Sequence, residues 1–338
     1  MRLSQGKAAA GFNGAGGINH ISTALILDIQ RMSTEDGPGI RTTVFFKGCN
    51  LSCAWCHNPE SISPKNEVQW IEARCISCGC CRQACKNDAL CFFEGGIKIK
   101  RNSCKSCLAC VGACPANALE ARGERWDIEK LVHEVLKDRA YFEKSNGGVT
   151  VSGGEALLQQ EFLCEFLKRL KTEGIHTALD TAGMVPFGLI YGVIPHVDLL
   201  LYDIKLIDPA LHRKFTGHGN ELILNNILSV TGMVRNNKIP MKLWIRTPVI
   251  PGATSEERNI RGIGRYIARN FNDIAEKWEL CAFNNLCKEK YRRLDMEWPY
   301  KDVRLLSREE MERLAETARE SGVRPEIVFW SGITRVEE

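Results

Sequence analysis

Three cysteines, Cys49, Cys53 and Cys56, sit within residues 48–60 (GCNLSCAWCHNPE) in a C-x3-C-x2-C spacing. Thiols this close together are candidate ligands for a soft metal centre. A cubane iron–sulfur cluster has four iron corners and normally takes four cysteine thiolates. The segment supplies three and no obvious fourth nearby, so a cluster held here keeps one iron open. An open coordination position separates a reactive metal site from a closed structural one, as it does at zinc. The alternative is a zinc knuckle or a buried cysteine cluster. Zinc knuckles favour paired C-x2-C modules, and this segment has only one.

Eight more cysteines follow in an internal repeat. Residues 75–90 read CISCGCCRQACKNDAL and residues 104–119 read CKSCLACVGACPANAL, sharing eight of sixteen positions without a gap. Each copy holds C-x2-C-x2-C-x3-C, the signature of bacterial two-cluster ferredoxins, in which the fourth cysteine of one run ligates the other cluster. One cluster is therefore expected on Cys75, Cys78, Cys81 and Cys114, the other on Cys104, Cys107, Cys110 and Cys85. Pro115 follows the last cysteine as the pattern asks; Lys86 replaces proline after Cys85. Zinc on these eight is the alternative. Cys80 is read as a spare thiol, Cys91 and Cys164 as buried fillers, and Cys281 and Cys287 as structural thiols.

The elements that must position these groups read as alternating strands and helices. Residues 24–30 (ALILDIQ) and 43–46 (TVFF) are apolar and β-favouring, and the three-cysteine segment leaves the C-terminal end of the second. A helix is expected over 127–142, with Asp127 capping its start. Further strands are expected at 147–154, 176–180, 197–205, 242–250 and 278–283, with a terminal one at 326–330. Helices are expected at 162–172, 221–235, 255–270 and 307–321. Counting 43–46, six βα-type units result, and such alternation argues for parallel strands with helices outside. Apolar strands fit burial on both faces. Chemistry in parallel α/β folds gathers at strand C-termini. There this chain places Gly153, Gly154, Glu155, Asp180, Asp203, Lys205, Arg246 and Asn284. For any one of them, an ordinary strand end returning to water is an equal reading; together with the cysteine segment, a site is favoured.

The 338 residues suit one large domain or two smaller ones, and the net charge of +4 gives no strong nucleic-acid or membrane field. No apolar run reaches membrane-spanning length. The start lacks the apolar core of an export signal and reads as a flexible tail over 1–20. Sixteen cysteines without an export signal argue for metal ligands rather than disulfides.

With these residues in view, the chain resembles the radical S-adenosylmethionine enzymes through Cys49, Cys53, Trp55 and Cys56. Within them, DGPGIRT at 36–42, WCHNPES at 55–61, GGVTVSGGEALLQ at 147–159 and DIK at 203–205 are similar to the activating enzymes of glycyl radical enzymes. The likeness runs from about residue 25 to the end of the last helix. It implies an α/β partial (β/α)6 TIM-like barrel over 21–60 and 123–338, carrying an inserted ferredoxin-like domain over 61–122 with two [4Fe-4S] clusters. It implies that the open iron chelates the amino and carboxylate groups of S-adenosylmethionine. One electron then breaks the sulfonium C–S bond, and the 5′-deoxyadenosyl radical takes a hydrogen from a glycine of the partner enzyme.

Residue by residue, the resemblance assigns Trp55 and His57 to the nucleoside or the cluster, and Gly153, Gly154 and Glu155 to the methionine amine. Asp203 and Lys205 go to the carboxylate and ribose, and Asp180 and Thr181 to a monovalent cation. Arg246 lies near the carboxylate or the partner peptide. Asn284 stands where a related activase has histidine; it can hydrogen-bond but cannot act as an acid near neutral pH, so nucleoside or ribose contact is expected. The expected partners are a glycyl radical enzyme and a flavodoxin or ferredoxin reductant, met by a monomer in an anaerobic cytoplasm. Two other functions compete: a radical S-adenosylmethionine enzyme acting on a small molecule or peptide, and a ferredoxin-type electron carrier.

Overall fold

A computed structural model of the protein describes residues 23–94, 96–236 and 239–336; the tail expected over 1–20 lies outside them. Thirteen strands follow in chain order: β1 (Ala24–Ser33), β2 (Arg41–Phe46), β3 (Glu67–Trp70), β4 (Leu90–Phe93), β5 (Gly96–Ile99), β6 (Leu119–Arg122), β7 (Glu124–Trp126), β8 (Gly148–Gly153), β9 (His176–Thr181), β10 (Leu199–Asp203), β11 (Lys242–Val249), β12 (Ala275–Ala282) and β13 (Val328–Ser331).

Nine of them form one sheet in the order β13-β12-β11-β10-β9-β8-β2-β1-β7. The seven from β2 and β8 through β13 run parallel, each beside its neighbour in that sequence. β1 and β7 add antiparallel pairs at one edge. Parallel neighbours require crossovers, and each later crossover carries a helix: Gln160–Thr172, Phe187–Val193, Pro209–Thr216 with Glu221–Arg235, Glu257–Asn270 and Arg308–Arg319. The strand order never reverses between β8 and β13, so all these strand ends open toward one side.

Alternation along the strands decides which face does what. Val44, Phe46, Val149, Val151, Leu200, Tyr202, Leu243, Ile245 and Leu280 join the helices in one large core. Their neighbours in sequence, Thr43, Thr150, Ser152, Asp180, Asp203, Arg246 and Glu279, point to the opposite face. There the apolar content shrinks to a small cluster of Ala178, Leu199 and Leu201 with Trp244 against it. Burial on both faces therefore holds along β2, β8 and β10, but on β2 and β8 part of what is buried on the second face is polar: Thr43, Thr150 and Ser152.

The helix expected over 127–142 is two helices, Ile128–Leu136 and Arg139–Ser145. The Asp138 carboxylate between them accepts from Arg31 and Thr42, so it anchors the break to β1 and β2. Asp127 caps the first helix as expected, accepting from the Lys130 amide. The strand expected over 197–205 is shorter, ending at Asp203, where Lys205 leaves the ladder to face its carboxylate. The last helix begins with a capping box: Ser307 accepts from the Glu310 amide, and Glu310 accepts from the Ser307 amide. Ser307→Ala should therefore cost about 1 kcal/mol; urea unfolding with an unchanged midpoint would count against that cap.

Residues 67–122 stand outside this sheet. β3 pairs with β6, and β4 with β5, each antiparallel. Val68, Leu90, Ile97, Ile99 and Leu119 surround the repeat's cysteines in a cluster of their own.

Candidate active site

The C-terminal ends of the parallel strands enclose an open cleft of roughly 400 Å3. Cys49, Cys53 and Cys56 line it together with Trp55, His57, Gly153, Gly154, Asp180, Thr181, Asp203, Lys205, Arg246 and Asn284. Every expected contact is thus brought to one place except Glu155. That residue is buried behind the wall, where it accepts hydrogen bonds from the Thr181 hydroxyl at 2.8 Å and from the Leu157 amide. It touches the cleft lining through Thr181 and the Ala182 backbone.

The cysteine segment is held by its backbone. Gly48 and Cys49 donate to the carbonyls of Ser61 and Ile62, and Ser52 and Ala54 donate to Thr216 and Phe215 at the end of the helix Pro209–Thr216. The Glu155 amide closes onto the Gly48 carbonyl at 2.7 Å. Gly154 makes this approach possible, since a Cβ there would lie 2.2 Å from the Gly48 oxygen. The glycine pair was expected to admit a ligand; its first use is to seat the cysteine segment on β8.

Burial pushes the Cys49 thiol up to about 11 and raises those of Cys53 and Cys56. Left alone, these thiols stay protonated; a bound metal centre takes them as thiolates and releases the protons. Three sulfurs around one cleft fit a cluster with an open corner. Among the described residues no three His, Cys, Asp or Glu side chains converge on a single metal ion, a geometry that a cubane, with one iron per thiolate, does not demand.

Charges alternate across the polar face. Lys205 pairs with Asp203. Burial disfavours its charge, but Asp203 and Cys53 outweigh that and raise its pKa, so it remains an ammonium. Arg246 stands 3.7–3.9 Å from carboxylate oxygens of Asp36, Asp180 and Glu279. Burial raises the pKa of Asp180, with Arg246 opposing and Asp203 and Asp36 adding to the rise. Ser152 donates to Asp180 at 2.6 Å. His57 bonds the Asn284 carbonyl at 2.9 Å, and burial lowers its pKa, favouring the neutral ring. The Asn284 side chain accepts from the Leu286 amide.

Sequence reasoning missed Ser152, Asp36 and the place of Cys281, which lines the cleft. The period-two run Lys277, Glu279, Cys281 on β12 carried that signal. Of the repeat's cysteines, Cys75, Cys78, Cys81 and Cys114 line one cavity, and Cys85, Cys104, Cys107 and Cys110 a second, smaller one.

Burial pushes Glu155 up to about 7. An unfolded glutamate titrates near ~4.3, so its stabilising proton is fully present below that value and lost as pH rises through 7. The metal-free protein should lose about 4 kcal/mol across that window relative to Glu155→Gln. Urea unfolding of both proteins from pH 4.5 to 8 checks this; a pH-independent difference would refute it.

A family model described as a 4Fe-4S single cluster domain matches residues 35–189. The (2S)-3-sulfopropanediol dehydratase activating enzyme of Klebsiella oxytoca is 36% identical over 314 residues, covering 90% of this chain and 97% of that protein. The indoleacetate decarboxylase activating enzyme of Tractidigestivibacter scatoligenes is 35% identical over 312 residues, covering 89% and 96%. A solved domain of pyruvate-formate lyase-activating enzyme from Bacteroides vulgatus is 30% identical, with a TM-score of 0.43, over 55% of this chain and 99% of that one. Identity at this level across nearly the whole length of the curated relatives, with the three cysteines gathered at one cleft, shows that the chain belongs to the radical S-adenosylmethionine activating enzymes of glycyl radical enzymes.

Proposed function

We propose that the cleft holds S-adenosylmethionine against a [4Fe-4S] cluster bound by Cys49, Cys53 and Cys56, and that the hydrogen removed comes from a glycine of a partner enzyme. The observation that carries this is the meeting of all three thiols with the polar strand ends in one cleft. When bound, such a cluster supplies the electron that breaks the sulfonium C–S bond, freeing methionine and a 5′-deoxyadenosyl radical.

The chain's own residues bind and orient. Gly153 and Gly154 offer backbone groups to the methionine amine, while Glu155 fixes Thr181 from behind. Lys205, kept charged by Asp203, faces the methionine carboxylate and the ribose. Asp180 and Thr181 form the cation position, with Ser152 holding Asp180. Arg246 lies toward the carboxylate or the incoming peptide. Trp55 and His57 flank the nucleoside, and Asn284 meets it without exchanging protons.

The fold that supports this reading is a partial (β/α)6 barrel, consistent with seven parallel strands in unbroken order. Residues 61–122 are read as the inserted ferredoxin-like domain. Its two cavities, each lined by four cysteines in the interleaved pairing, would hold two further [4Fe-4S] clusters. A flavodoxin or ferredoxin would feed them in an anaerobic cytoplasm. Among the described residues, no helix is long and apolar enough to cross a membrane. The partner is a glycyl radical enzyme docking transiently on a monomer. Relatives at similar identity are named for partners as different as a sulfopropanediol dehydratase, an indoleacetate decarboxylase and a choline trimethylamine-lyase, so the cleft does not encode the partner's own substrate.

Iron per chain, with electron paramagnetic resonance of the reduced protein before and after adding S-adenosylmethionine, tests the reading. About twelve irons and one signal that shifts on addition are expected. About eight irons and no shift would return the chain to the electron-carrier reading.

A further inference from the structure

Between the end of β12 and the last helix, residues 284–300 run back across the cysteine segment. The Tyr291 hydroxyl donates to the Cys56 carbonyl at 2.8 Å, and the Cys287 sulfur lies 3.9 Å from the same oxygen. Lys290 donates to the Asn58 side chain at 2.7 Å and pairs with Glu60 at 3.1 Å. The Tyr291 ring stacks on Trp298 at 5.0 Å and 12°, which fixes where the hydroxyl points.

The other side of the same stretch is bolted to the cysteine-rich segment. Arg292 meets Glu72 at 2.8 Å, Asp295 meets Lys98 at 3.2 Å, and the Arg293 carbonyl accepts from Arg101 at 3.5 Å. Glu72 lines the cavity that gathers Cys75, Cys78, Cys81 and Cys114. One short run of chain thus connects the wall of that cavity to the main-chain oxygen of a cysteine at the cleft.

We propose that residues 284–300 are a strap coupling the two cysteine sites, with Tyr291 the positioning residue that holds Cys56 through its carbonyl. The inference rests on the reading of Cys49, Cys53 and Cys56 as cluster ligands. The electronics of a metal centre follow the groups that orient its ligands, and losing such a partner commonly costs about 10–100-fold in metal affinity or activity. A cysteine whose own carbonyl is pinned has one less way to swing its sulfur. Arg292 and Asp295 join the far end to the cysteine-rich segment through exposed ion pairs, so the coupling through them is expected to be weaker than the pinning itself.

Two variants of the full-length, cluster-loaded protein test this. Tyr291→Phe keeps the ring stacked on Trp298 and removes only the hydroxyl. Arg292→Ala cuts the bolt to Glu72, well away from the cleft. Redox titration followed by electron paramagnetic resonance reads each cluster separately, and a chelator challenge reads iron retention. In Tyr291→Phe, the signal that responds to S-adenosylmethionine should change its midpoint potential and lose iron about tenfold faster or more, while the other signals stay in place. Arg292→Ala should move the same signal in the same direction by less. If Tyr291→Phe leaves that signal unmoved, the positioning role is overturned; if only Arg292→Ala leaves it unmoved, the coupling is overturned. A wild-type protein with no signal responsive to S-adenosylmethionine would defeat the cluster reading itself, a separate failure.

Discussion

Replacing Cys53 by alanine is expected to take S-adenosylmethionine cleavage to background while leaving most of the iron in place. Cys53 is the middle one of the three thiols that line the cleft, and on the proposed reading the two left behind would not hold a cubane against loss. On the proposed three-cluster reading, about four of about twelve irons should disappear, and with them the one signal that S-adenosylmethionine perturbs. The cysteines of residues 75–114 lie in two separate cavities with their own apolar surround, so their share should be untouched. Formation of 5′-deoxyadenosine by the dithionite-reduced variant is the measurement. Turnover at the wild-type rate would remove the cysteine segment from the chemistry altogether.

The second large effect is expected from Gly154→Ala, a single methyl group. Its Cβ would sit 2.2 Å from the Gly48 oxygen, 2.7 Å from the Gly48 carbonyl carbon and 2.9 Å from the Ser61 oxygen. All three are backbone atoms, so no rotamer change relieves the contact. Overpacking of this kind costs about 3 kcal/mol or somewhat less. Here the strain falls on the residue before Cys49, so binding should suffer more than folding. Calorimetric titration with S-adenosylmethionine should show affinity reduced by more than about tenfold, alongside a lowered thermal midpoint. Gly112→Ala, where nothing lies within 4 Å of the added carbon, is the matched control. Equal behaviour of the two variants would mean that the seat of the cysteine segment on β8 is unimportant.

Much of the site was legible because ligand chemistry is written in residue type and spacing. C-x3-C-x2-C and the doubled C-x2-C-x2-C-x3-C are short-range patterns, and the structure collects their members as the spacings imply. The strands were legible for a similar reason, since apolar runs and their glycine or proline ends are local. What stayed hidden depends on partners distant in sequence. Asp138 ends a helix because Arg31 and Thr42 wait for it a hundred residues away. Glu155 sits behind the wall because Thr181 claims its carboxylate. The run CKEKYRR at 287–293 carries four basic residues and nothing in its spacing that names their partners. Only the fold reveals that Tyr291 turns inward to Cys56 while Arg292 turns out to Glu72.

The antiparallel pairing of β3 with β6 sets Glu67 opposite Arg122 and Trp70 opposite Leu119. The chain therefore leaves for its cysteine-rich excursion and returns from it at adjacent points, like the two rails of a ladder. Lengthening, shortening or exchanging whatever lies beyond the rungs requires no strand of the large sheet to shift register. The contacts that such a change would have to re-tailor include those of Arg292, Asp295 and Arg101 and the ion pairs Lys47–Glu67 and Arg122–Glu60, whose partners lie across the divide.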